Sequence, residues 1–152
     1  MDHDTLRPRP TMLPRVIVAS DDPERRAALA DALGAMDFPV HEAHEGRELA
    51  TLIDTLVVFG SVEPIAIVTD RLLPGYDALD LVGALRRVTQ ATPVVLLDNA
   101  RNVVTEARAE ALGIELLDRD SSPDDVVTAL LAAMRAPRST KRPPPFQPRA
   151  AW

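Results

Sequence analysis

Five short apolar runs punctuate the chain: RVIVAS (15 to 20), FPVHEA (38 to 43), PIAIVTD (64 to 70), TPVVLLD (92 to 98) and IELLD (114 to 118). Between them, apolar residues recur at helical spacing. Ala28, Leu29, Ala32, Leu33 and Met36 form one stripe, Leu49, Leu52, Ile53 and Leu56 a second, and Leu79, Leu81, Val82 and Leu85 a third. Short β-branched runs alternating with such segments predict a parallel sheet covered by helices. The helix borders carry their own signals. Asp22 before Pro23 predicts a capped start, as does Ser122 before Pro123, with Asp124 and Asp125 placed where the helix dipole favours acids. The second helix is expected over 48 to 59, the third to end near Thr89, the fourth to run over 101 to 112 before Gly113, and the fifth to end near Met134. RLLPGYD reads as a loop. The expectation is α/β, with five βα units in about 120 residues.

The ends read differently. Residues 1–14 form a proline-containing arm, 15–135 the folded domain, and 136–152 a basic, proline-rich tail with almost nothing aliphatic to bury, so both ends are expected to be disordered. The net charge of −6 conceals an asymmetry. Residues 15–134 hold 21 acids against 10 bases, whereas residues 135–152 carry Arg135, Arg138, Lys141, Arg142 and Arg149 with no acid. An acidic body disfavours nucleic acid as a partner. The absence of cysteine excludes disulfides and thiolate metal sites. No apolar run approaches the roughly 18 residues that would span a bilayer, and the start lacks a signal-peptide layout, so a cytoplasmic protein without membrane contact is expected. His41 and His44 in HEAHEG do not have the spacing that sets two histidines on one helix face. With neither a Gly-rich phosphate loop nor a defensible nucleophile triad, the chain is not expected to be an enzyme.

In an open parallel sheet, ligands sit beyond the carboxyl ends of the strands, where strand order reverses. Asp21 leaves the first strand and Asp70 the third, so both should reach one crevice. Paired carboxylates there suit a magnesium ion, and a carboxylate beside it suits attack on a phosphoryl group. Asp21 and Asp70 are therefore the candidate weak Mg²⁺ ligands.

The pieces VIVASDDP, IVTDRLLPGYDAL, TPVVLLDNA and LGIELLDRDSSPDDVV together resemble the receiver domains of two-component response regulators, the CheY-like family. The resemblance implies a doubly wound, flavodoxin-like sheet of order 2-1-3-4-5 with five helices. It also implies that Asp70, followed by Pro74 and Gly75, stands at the phosphoacceptor position. Other family positions are altered. Where the family has two adjacent acids, this chain has Ser20 and Asp21, with Asp22 one place late. Asp98 stands where a hydroxyl would contact the phosphoryl group, and Asp21, Asp22 and Asp98 are expected to give the crevice an acidic lining. The lysine position falls on Arg119 or Asp120, and Leu116 and Leu117 fill the places of the aromatic switch.

The resemblance, with these departures, implies a stand-alone pseudo-receiver that signals by binding proteins such as a kinase, a regulator or a motility component, independently of phosphorylation. The face of the fourth helix, fifth strand and fifth helix, about 101–135, is the expected partner or homodimer surface. Two alternatives stand beside it. One is a phosphorylatable receiver with Asp70 as acceptor. The other is an effector that captures a cyclic dinucleotide through the tail, with Arg135, Arg138, Lys141, Arg142 and Arg149 on phosphates and Trp152 stacking on a base. Arg142, Pro145 and Pro148 also fit an RxxPxxP spacing.

Overall fold

The computed structural model describes residues 13–60, 64–99 and 102–136. The arm up to residue 12 and the tail from residue 137 lie outside the described residues. The sheet consists of β1 (Arg15–Ala19), β2 (Val40–Ala43), β3 (Ile65–Asp70), β6 (Val94–Asp98) and β7 (Glu115–Asp118), all parallel in the order β2-β1-β3-β6-β7. Counted as sheet strands alone, that is the expected 2-1-3-4-5. The central β3 is buried along its whole length, because helices cover both of its faces. Successive β-strand side chains point to opposite faces. Ile17, Ile67 and Leu96 therefore face α2 (Gly46–Ile53) and α3 (Ala78–Arg86), and Val18, Val68 and Leu97 face α1 (Pro23–Gly34) and α5 (Pro123–Arg135). The remaining helix, α4 (Val103–Ala111), packs beside β7.

Several borders differ from expectation for local reasons. RLLPGYD is not a plain loop. It forms a small antiparallel hairpin of β4 (Leu72–Leu73) and β5 (Tyr76–Asp77), which reverses at Pro74 and Gly75. Gly75 has φ of 79°, a left-handed conformation that glycine adopts without a Cβ penalty. Tyr76 lies so close to Gly46 that a Cβ at that position would overlap the tyrosine side chain, which seats the hairpin on the start of α2. Helix α2 begins two residues before the expected start and finishes in a single widened turn over Asp54–Val58. Met36 lies beyond α1 and is 47% exposed, and Ala28 is exposed, so the buried stripe of that helix narrows to Leu29 and Leu33.

Candidate functional site

The strand tips gather at one end of the sheet. Asp70 closes β3 and is only 2% exposed. Ser20, fully buried after β1, donates its hydroxyl to Asp70 Oδ2 at 2.6 Å and accepts from the Asp22 backbone N–H at 3.2 Å. Two guanidiniums flank the same carboxylate. Arg25 Nε lies 3.6 Å from Oδ1, and Arg119 Nη2 lies 3.6 Å from Oδ2 and 3.3 Å from Asp21 Oδ1.

The arrangement divides the expected acidic lining. Asp22 turns to the helix, where its Oδ1 accepts from the backbone N–H groups of Glu24 and Arg25 at 3.0 and 3.3 Å. That is the N-cap anticipated from Asp22-Pro23, and it aims Arg25, in the first helical turn, across the crevice. Asp21 stays at the rim, half-exposed and paired with Arg119. Asp98 is 2% exposed and bonded through Oδ2 to Arg71 Nη1 at 3.1 Å. The Arg71 guanidinium also donates to Thr105 Oγ1 at 3.2 Å and to Asp77 Oδ2 at 3.3 Å. Burial pulls the Arg71 pKa down, but Asp98 and Asp77 more than offset it and hold the group above its ordinary value. Among the described residues no cluster of three or more Asp, Glu or His side chains could hold a metal.

The side chain that reaches Asp70 from the turn after β7 is that of Arg119, while Asp120 is exposed. Backbone register decides this: Asp98 pairs with Asp118, and the next N–H, that of Arg119, donates to the Asp98 carbonyl at 3.2 Å. Arg135 is exposed as the last residue of α5, and Arg138, Lys141, Arg142, Arg149 and Trp152 lie outside the described residues. His44 pairs with Glu48, and His41 lies 3.3 Å from Arg15, so neither faces the crevice residues through these contacts.

Sequence reasoning did not single out Arg25, Arg71, Asp77 or Thr105. One signal was present: the chain has no lysine before Lys141, and its earlier fixed cations are all arginines. Guanidiniums suit fixed, partly buried carboxylate pairs better than ammonium groups do.

Burial pushes the Asp70 carboxyl above its ordinary 3.8, against the opposing pull of the Ser20 hydroxyl, Arg119 and Arg25, with Asp21 adding to the rise. The folded state therefore keeps this proton to higher pH than the unfolded chain does. Stability from this group is lost as pH rises above about 3.8. Urea unfolding of wild type and Asp70→Asn side by side between pH 4 and 7 should show wild type losing ground to the variant as pH rises. The opposite trend would mean that the two arginines outweigh burial.

No family model matches the chain. Curated relatives do. The chain is 32% identical over 114 residues to the transcriptional regulatory protein TcrA of Mycobacterium tuberculosis, a match covering 75% of this chain and 39% of that protein. It is 32% identical over 123 residues to the response regulator MprA of Mycolicibacterium vanbaalenii, covering 80% and 49%. The chain thus spans half or less of the curated relatives it matches. Among solved structures, the beryllofluoride-activated NtrC4 receiver domain dimer superposes with a TM-score of 0.68 at 21% identity, covering 79% of this chain and 95% of that one. The signal receiver domain of the putative response regulator NarL from Mycobacterium tuberculosis gives 0.66 at 24%, covering 83% and 99%. Sheet order, the acid at the tip of β3 and these likenesses agree: the chain has the CheY-like receiver fold, and the curated relatives it matches are response regulators.

Proposed function

We propose that this chain is an atypical receiver that acts in two-component-type signalling by contacting other proteins, without phosphoryl transfer to Asp70. The observation that carries the reading is the 2.6 Å bond from Ser20 to Asp70. A hydroxyl occupies the place beside Asp70 where a second carboxylate would help to hold a cation, and it engages an oxygen of the group that would attack phosphorus. Asp98 supports the same reading. Its buried charge, answered by Arg71, stands where a phosphoryl oxygen would need a donor, and a carboxylate there repels that oxygen.

The receiver family is a signalling fold, and no catalytic turnover is assigned to this chain. Output then rests on surface. Val103 and Val104, at the start of α4, are 80% and 77% exposed, and α4 packs beside the edge strand β7. That face suits a kinase, another regulator or a second copy of the chain. DNA binding, the kind of output that TcrA's description as a transcriptional regulator suggests, is not carried over, because the body is acidic and the matched part of TcrA is 39% of its length.

A phosphorylatable receiver is the second reading, and one observation favours it: the Arg119 guanidinium 3.6 Å from Asp70 supplies a cation at the acceptor. The experiment is to incubate the protein with Mg²⁺ and acetyl phosphate and record intact mass beside Asp70→Asn. No mass gain in either folded protein is expected. A gain of one phosphoryl group in wild type alone would establish the second reading.

A further inference from the structure

Receivers take a divalent cation beside the acceptor carboxylate, and the residues around Asp70 do not fit one. A Mg²⁺-type ion needs oxygen ligands at about 2.1 Å in near-octahedral array. Here one neighbouring oxygen belongs to the neutral Ser20 hydroxyl, which already accepts the Asp22 backbone N–H and occupies Asp70 Oδ2 with its own proton. Asp22 Oδ1 is committed to the α1 backbone. More decisively, the cation's place in the charge balance is already filled. Asp70 and Asp21 carry two negative charges, and Arg25 and Arg119 bring two positive ones to the same oxygens.

The Arg25 side chain is no surface group that drifts over the crevice by chance. Its Nε and Nη2 are buried and without a hydrogen-bond partner, as is Asp70 Oδ1, and the Nε and the carboxylate oxygen face each other at 3.6 Å. A partly buried guanidinium whose Nε and Nη2 lack hydrogen-bond partners and a buried carboxylate oxygen beside it are held together by charge. A dication entering between them would meet a fixed positive group within a few ångströms of its principal ligand.

We propose that Arg25 and Arg119 together take the place of the divalent cation at Asp70, so that this receiver site is charge-balanced by its own side chains and is closed to metal. It rests on the phosphorylation-independent reading above and adds the physical device that enforces it. The site then has one electrostatic state at constant pH, set by two arginines from separate elements, α1 and the turn after β7, on the two oxygens of Asp70.

The test is metal uptake in the absence of any phosphoryl donor, which separates it from the mass experiment. Free Mn²⁺ is followed by electron paramagnetic resonance as it is titrated into the full-length protein. Wild type is expected to take up no Mn²⁺ that an Asp70→Asn control does not also take up. The Arg25→Ala/Arg119→Ala variant is expected to gain one site at least tenfold tighter than anything in wild type, and Asp70→Asn in that background should abolish it. If circular dichroism shows the alanine pair unfolded, Arg25→Gln/Arg119→Gln replaces it. Asp70-dependent uptake by wild type would overturn the proposal, even with no mass gain from acetyl phosphate. So would a folded arginine variant that binds no more tightly than wild type.

Discussion

Arg71→Ala is expected to destabilise the fold by about 3–5 kcal/mol, the range for removing one partner of a buried ion pair. With a urea dependence of about 1–3 kcal/mol per molar, the unfolding midpoint should fall by more than about 1 M. The loss comes mostly from what is left behind. Asp98 is 2% exposed, and its Oδ2 would lose the guanidinium 3.1 Å away. Contacts to Thr105 and Asp77 disappear with it, which loosens the start of α4 and the N-cap of α3. The diagnosis rests on the double variant. Arg71→Ala/Asp98→Asn removes the carboxylate that Arg71 answered and should recover most of the loss, giving a large coupling energy in the cycle. A single variant costing under about 1 kcal/mol would show that Asp98 is compensated by its other contacts.

On the proposed reading, the same guanidinium also shapes the output surface. It ties the hairpin after β3, the tip of β6 and the first turn of α4 together. The exposed Val103 and Val104 stand at the end of that tie. Since Arg71 is held by charges already in place, the partner face is set without any event at Asp70. A partner would meet a preformed surface, which lowers the ordering cost of binding.

The sheet was legible because strands buried on both faces read as continuous apolar runs, and β3 and β6 are buried at every position. The hairpin was not, since four strand residues around Pro74-Gly75 have no period to detect. Met36 misled because its spacing fits α1, whereas the helix ends at Gly34 before that residue is reached. At the site, strand tips gave Asp70 and Asp21, as any carboxylate following a buried run must emerge there. The counterions were hidden for a different reason. Arg25 sits in the sequence as a solvated helix arginine would, and its reach to Asp70 from the turn capped by Asp22 shows only in three dimensions. Choosing between Arg119 and Asp120 required the β6–β7 register, which a one-residue slip in the turn would reverse.

Ser20→Asp is expected to cost about 3 kcal/mol at pH 7, because it buries a second carboxylate against the first. Ser20 is fully buried and its oxygen lies 2.6 Å from Asp70 Oδ2. Two carboxylates at that separation cannot both ionise, so the pair retains a proton to higher pH than either group would alone. The sign follows from that retention. A raised folded pKa means stability is lost as pH rises, so the penalty should shrink between pH 7 and pH 5, where the pair is allowed its proton. Combining Ser20→Asp with Asp70→Asn leaves one carboxylate facing an amide donor and should restore most of the stability at pH 7. Urea unfolding of the four proteins at both pH values reads all of this. A Ser20→Asp protein as stable as wild type at pH 7 would show that Arg25 and Arg119 have charge to spare, and that Asp70 is over-compensated in the native chain.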